Sequence, residues 1–187
     1  MRKIFLPLLL LVLMLPANAL CQDMPFNLSL KKQYTKTPTI SGFRHWFGSV
    51  KSGEIIFLGK ENTDGFSLEL QLSFKQNALE EVVLILGPEG IDNTDCRRQY
   101  AKVTRALNKK YKHYQYKLIE KDPISDDLVS TSPCHRIRLG LHKTITVWKL
   151  NEFDIHAELL GDDDGFYIEI VYKKHKNKST QKLQKIL

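Results

Sequence analysis

The run FDIHAEL, residues 153–159, sets Asp154, His156 and Glu158 two residues apart. Side chains alternate along an extended chain, so these three share one face while Phe153, Ile155, Ala157 and Leu159 share the other. Two carboxylates and an imidazole at that spacing could hold a divalent metal, or place a carboxylate beside an imidazole for acid–base work. They are the candidate catalytic residues if the chain is a small secreted hydrolase or metal-dependent enzyme. The wet face of a sheet covered on one side produces the same alternation, and that reading is preferred.

Other chemistry is thinly represented. The sequence contains no G-x-S-x-G, H-E-x-x-H, glycine-rich phosphate loop or C-x-x-C pair. Cys134-His135 has no second cysteine or histidine at ligand spacing, and the turn Gly161-Asp162-Asp163-Asp164-Gly165 supplies too few oxygens at calcium-loop offsets. No metal or cofactor is expected. Trp148 and Tyr167 would suit ligand stacking if exposed, but Trp148 reads as core. His45-Trp46-Phe47 reads as an aromatic cluster that anchors its segment.

The second functional candidate lies in DCRRQYAKVTRALNKKYKHY, residues 95–114. Cys96, Tyr100, Val103, Leu107, Tyr111 and Tyr114 recur at helical spacing as an apolar stripe. Arg98, Lys102, Arg105, Lys109 and Lys112 form a parallel row that begins two residues later, about 200° around the axis. The stripe packs and the row faces outward. An all-positive row is a binding face for an acidic partner, a protein or an anionic envelope component; the alternative is plain solvated surface.

The context of these residues narrows the partner. Arg2 and Lys3, an apolar run over residues 4–15, and Ala17-Asn18-Ala19 have the layout of a secretory signal cleaved after Ala19. Bulky Leu20 before Cys21 argues against lipidation, so the exported protein is expected to be periplasmic or secreted without an anchor. No later stretch is apolar enough to span a bilayer. Export makes nucleic acid an unsuitable partner despite the formal charge of +7. Residues 20–172 carry 20 basic and 21 acidic residues, and the excess sits in the signal and the tail KKHKNKSTQKLQKIL, residues 173–187. That tail reads as a flexible end; its sharper reading, with the helix row, is attachment to a polyanion or anionic membrane surface. Three cysteines in an exported chain imply one disulfide, and Cys96 with Cys134 is the expected pair.

The elements that must position these residues follow from periodicity. Residues 20–50 read as an irregular aromatic lead-in, and residues 51–172 as one domain. Strands are predicted at 54–58, 66–74 and 79–86, then the helix, then strands at 144–150, 153–160 and 166–172. A further strand is placed within 114–119 or 136–141. Short connections imply hairpins. The fold class is α+β: an antiparallel sheet of two three-stranded meanders with one long amphipathic helix between them, packed on one face. An echo, Leu58-Gly59 before Asp64-Gly65-Phe66 and Leu160-Gly161 before Asp164-Gly165-Phe166, reads as recurrent hairpin chemistry more readily than as a duplication. The function expected from all this is a non-catalytic exported binding module.

Overall fold

The computed structural model describes residues 24–60, 66–87, 95–121, 132–163 and 165–175. The signal at 1–19, Cys21, Asp164 and the tail from 176 lie outside them. Among the described residues eight strands form one antiparallel sheet. They are β1 (Phe43–Ser49), β2 (Glu54–Gly59), β3 (Leu68–Lys75), β4 (Ala78–Leu86), β5 (Tyr116–Lys121), β6 (Lys143–Lys149), β7 (Phe153–Asp162) and β8 (Gly165–Lys174). The helix α1 (Cys96–Lys110) follows β4, and the short helix α2 (Pro133–Arg138) follows β5.

The strand order is β1-β2-β3-β4-β8-β7-β6-β5. The chain meanders from one edge to the centre, crosses to the far edge with α1, and meanders back until β8 pairs with β4. The architecture is therefore α+β, but each meander has four strands: β5 overlaps the further strand placed within 114–119, and β1 is an addition. Both have physical reasons. In β1 the register shifts between His45 and Phe47, so Trp46 sits at a bulge and the alternation that marks a strand is broken. In β5 the sequence YKLIEK is half charged, as suits an edge. The 136–141 alternative is overturned: α2 occupies its first half and a turn the rest, the helix being started by Pro133 and by Ser132, whose hydroxyl accepts from the His135 N–H at 3.3 Å.

One face of the sheet is the core. Ile55, Leu72, Val82, Tyr172, Ile155 and Trp148 stand in register across six strands, all buried. Burying each such side chain contributes about 1.5–3 kcal/mol. The segment before β1 is not merely a lead-in, since Leu28, Leu30 and Ile40 are buried in the same core. Its backbone is tied to the β3–β4 hairpin: Lys31 N–H donates to the Leu79 carbonyl and Tyr34 N–H to that of Asn77, both at 2.9 Å.

The helix α1 covers the other end of that face, burying Cys96, Tyr100, Val103 and Leu107. Asp95 holds the N-cap position without a capping hydrogen bond and instead pairs with Arg98 at 2.7 Å. Cys96 and Cys134 stand at disulfide distance, with Cα atoms 6.0 Å apart, and so tie α1 to α2. In turn α2 lies directly on β7. A Cβ on Gly161 would come within 2.8 Å of the Arg138 Cα, so this position needs glycine. The two copies of the DGF echo fall at β2–β3 and β7–β8. The strand order makes β6–β7 the counterpart of β2–β3, so the topology does not align the echo as a duplicated half.

Candidate functional site

A helix is about 10 Å wide and neighbouring strands lie about 4.8 Å apart, so one helix covers about two strands. Contacts of α1 run to β6, β7 and β8: Tyr100 reaches Thr146 and the Ala157 carbonyl, and Tyr111 bonds Tyr172. The edge strand β5 is left beside the helix, with the gap between them forming a cleft of about 290 Å³. One wall is α1, through Arg97, Tyr100, Ala101, Thr104 and Asn108. The opposite wall is β5, through Tyr116, Leu118 and Glu120. The floor is Thr144, Thr146 and Leu159, from β6 and β7.

The cleft is polar along its floor and helix wall. Tyr100 Oη donates to the Ala157 carbonyl at 2.7 Å and so accepts from the Thr146 hydroxyl at 2.8 Å. Burial first, and only then neighbouring charge, pushes the Tyr100 phenol up to about 12, the Thr146 bonds opposing it. Thr144, 4 % exposed, holds a 3.0 Å hydrogen bond with His142. Thr104 Oγ1 donates to the Tyr100 carbonyl at 3.0 Å, which leaves its lone pairs to accept. Asn108 Oδ1 accepts from the Trp148 indole at 2.7 Å; that bond fixes the amide and leaves its Nδ2 as a donor. The β5 wall is apolar: Tyr116 and Leu118 are more than half exposed, the Tyr116 ring lying 6.2 Å from that of Trp148. An Arg97–Glu120 ion pair of 2.8 Å bridges the two walls.

The residues singled out from the sequence fall in three places. Arg98, Lys102, Arg105, Lys109 and Lys112 are all exposed on or just after α1. Helical geometry sets them about 90° around the axis from Thr104 and Asn108, so the row borders the cleft on its outer lip. Asp154, His156 and Glu158 lie on the sheet face opposite the core, and each has its own surroundings. Asp154 pairs with His175 at 3.0 Å, Glu158 approaches Lys143 at 3.9 Å, and His156 is exposed. Among the described residues no group of three or more His, Cys, Asp or Glu side chains could hold a metal ion.

That face carries a different feature, which the alternation had concealed. Glu158 stands directly opposite Glu169 in the β7–β8 register. Oε1 of Glu158 is buried without a hydrogen bond, and burial, then Glu158, then Glu81 raises the Glu169 carboxyl above the usual glutamate value. Burial, then Asp162, raises the half-buried Tyr167 phenol too. In the aspartate turn, Asp162 accepts from the Gly165 N–H at 3.1 Å, while the Arg138 guanidinium donates to the Asp162 and Asp163 carbonyls. Trp148 is fully buried, but Trp46 and Phe47 are 63 % and 61 % exposed, so that cluster does not anchor its segment. The bulge turns them outward on an edge strand.

Arg97, Tyr100, Thr104, Asn108, Tyr116, Leu118 and Glu120 line the cleft, and sequence reasoning did not single them out as candidate site residues. A signal was present: Arg97, Ala101, Thr104 and Asn108 form a column of polar and small residues between the buried stripe and the basic row. No protein-family model, curated protein or solved structure matches this chain. No helix among the described residues is long and apolar enough to cross a membrane.

Proposed function

We propose that this protein is an exported, non-catalytic binding module whose ligand seats in the α1–β5 cleft and carries negative charge. The observation that supports this is the meeting, in one place, of a cleft with hydroxyl and amide groups, an apolar strand wall and an all-positive lip. Ligand sites combine apolar walls with a few convergent polar groups in this way. Export is supported by the signal-like layout of residues 1–19 and accords with a cysteine pair at disulfide distance.

A cleft of about 290 Å³ is at the small end of ligand sites and suits about a dozen non-hydrogen atoms. An aryl carboxylate is a suitable probe, with its ring against Tyr116 and Leu118 and its charge toward the basic lip. Titrating 4-phenylbutyrate into the ¹⁵N-labelled protein, purified after export through its own leader, should shift the amides of Thr104, Asn108, Tyr116 and Leu118. The expected dissociation constant is about 1 mM, from a few tenths of a kcal/mol per atom. Thr104→Trp, which fills the cleft from the helix side, should abolish those shifts while leaving the thermal transition in place. Shifts confined to another surface, or surviving in Thr104→Trp, would overturn the assignment. The mass of the purified chain tests cleavage after Ala19.

A further inference from the structure

Resting on that reading of the cleft, we propose that its ligand is an extended peptide segment, alternately acidic and apolar, that adds to the sheet beside β5 as a ninth strand. Three observations lead here. First, β5 is the end of the strand order, and no described strand pairs with its outer side. An edge strand presents a row of unpaired N–H and C=O groups that an incoming extended chain can satisfy. Second, the cleft runs between this strand and α1, so every second side chain of an added strand would lie beside it.

Third, the two faces of β5 differ in chemistry, and their register fixes which is which. Tyr116 and Leu118 stand opposite Trp148 and Thr146, and so share the cleft side of the sheet. Lys117 and Lys121 stand opposite Val147 and Lys143 on the other side, with Ile119 between them, while Glu120 on the cleft side is held by Arg97. Both lysines are exposed, and neither pairs with a described residue. Cross-strand neighbours stabilise a sheet when apolar meets apolar and opposite charges meet. A ninth strand is therefore matched by apolar side chains toward Tyr116 and Leu118 and by carboxylates toward Lys117 and Lys121. Its alternation is complementary to that of β5 itself.

The test uses the hexapeptide Val-Glu-Val-Glu-Val-Glu, capped and fluorescein-labelled, with binding read by anisotropy on the oxidised, exported protein. Two further versions carry N-methyl groups on alternate backbone nitrogens, one on the valines and one on the glutamates. Only every second residue of an added strand donates to its neighbour. One methylated peptide should lose at least tenfold in affinity while the other binds like the parent. Lys117→Glu with Lys121→Glu should weaken the parent peptide at least tenfold, and Thr104→Trp should weaken it as well. Equal behaviour of the two methylated peptides, or no binding of the parent, overturns strand addition. The cleft reading then stands or falls separately on 4-phenylbutyrate. A stable dimer by light scattering that Lys117→Glu dissociates and the peptide does not would assign the β5 edge to a second copy of this chain, and would overturn the peptide.

Discussion

Two side chains concentrate the energetics, one on each face of the sheet. Tyr100 was legible as a member of an apolar stripe, but its hydroxyl is what joins α1 to β6 and β7. Tyr100→Phe keeps the ring and takes the acceptor from the buried Thr146 hydroxyl, so it should cost about 1–3 kcal/mol in urea unfolding. Because burial raises the folded phenol to about 12, above its ordinary value of 10.0, the stabilisation is complete below pH 10 and lost as pH rises through 12. Between those pH values the wild type should lose stability more steeply than Tyr100→Phe. Glu169 has the same sign in the acid range. Its folded carboxyl is raised, so its contribution is present below the usual glutamate range and is lost as pH rises through the folded value. Glu169→Gln removes a like-charge pair with Glu158 and should stabilise the protein by about 0.5 kcal/mol at pH 7. That advantage should close near pH 4, when wild-type Glu169 is protonated, as urea midpoints at the two pH values would show. A less stable Glu169→Gln at pH 7 would mean that the ionised carboxylate is used.

At the level of elements, α2 is positioned from two sides. The cysteine pair joins it to α1 across 38 residues of chain, and Gly161 lets its backbone rest on β7. Closing a loop of that length stabilises by about 2–4 kcal/mol, so Cys96→Ser with Cys134→Ser should lower stability by that amount under oxidising conditions. The wild type treated with a reductant should fall to the same level. Gly161→Ala forces α2 off the strand and should cost about 1–3 kcal/mol, as overpacking does. Elements with local periodicity were legible: α1 from its stripe, β3 from its alternation, β4 from its apolar run, and the last hairpins from their turns. Those set by distant partners were less so. The bulge at Trp46 breaks the pattern of β1, and β5, placed within 114–119 only as one of two alternatives, is fixed as a strand by pairing with β6, whose residues lie about 25 positions further on. The cleft was illegible for the same reason, since no local signal places Leu118 beside Thr146 or leaves both next to Thr104.

For the whole molecule the question is which positive charge recruits the partner. The formal excess of +7 invites the tail as the answer, since Lys176, Lys178, Lys182 and Lys185 all lie beyond β8. Residues 20–172 are nearly neutral, yet their charges are sorted: Arg98, Lys102, Arg105, Lys109 and Lys112 border the cleft on one lip, and Lys117 and Lys121 lie on β5. At physiological ionic strength charges beyond about 8 Å are largely screened, so cations beside the bound peptide outweigh those held elsewhere. Deleting residues 176–187 should therefore leave the affinity for the Val-Glu hexapeptide within about twofold. Lys117→Glu with Lys121→Glu reverses the two charges that face the peptide's carboxylates and should weaken it by about tenfold or more, on the order of 1.4 kcal/mol. Raising salt from 50 to 500 mM should weaken the wild type and the truncated protein in parallel, because both keep the same cations at the cleft. If truncation instead abolishes binding and the β5 variant leaves it intact, recognition belongs to the tail, and the sheet edge has no part in it.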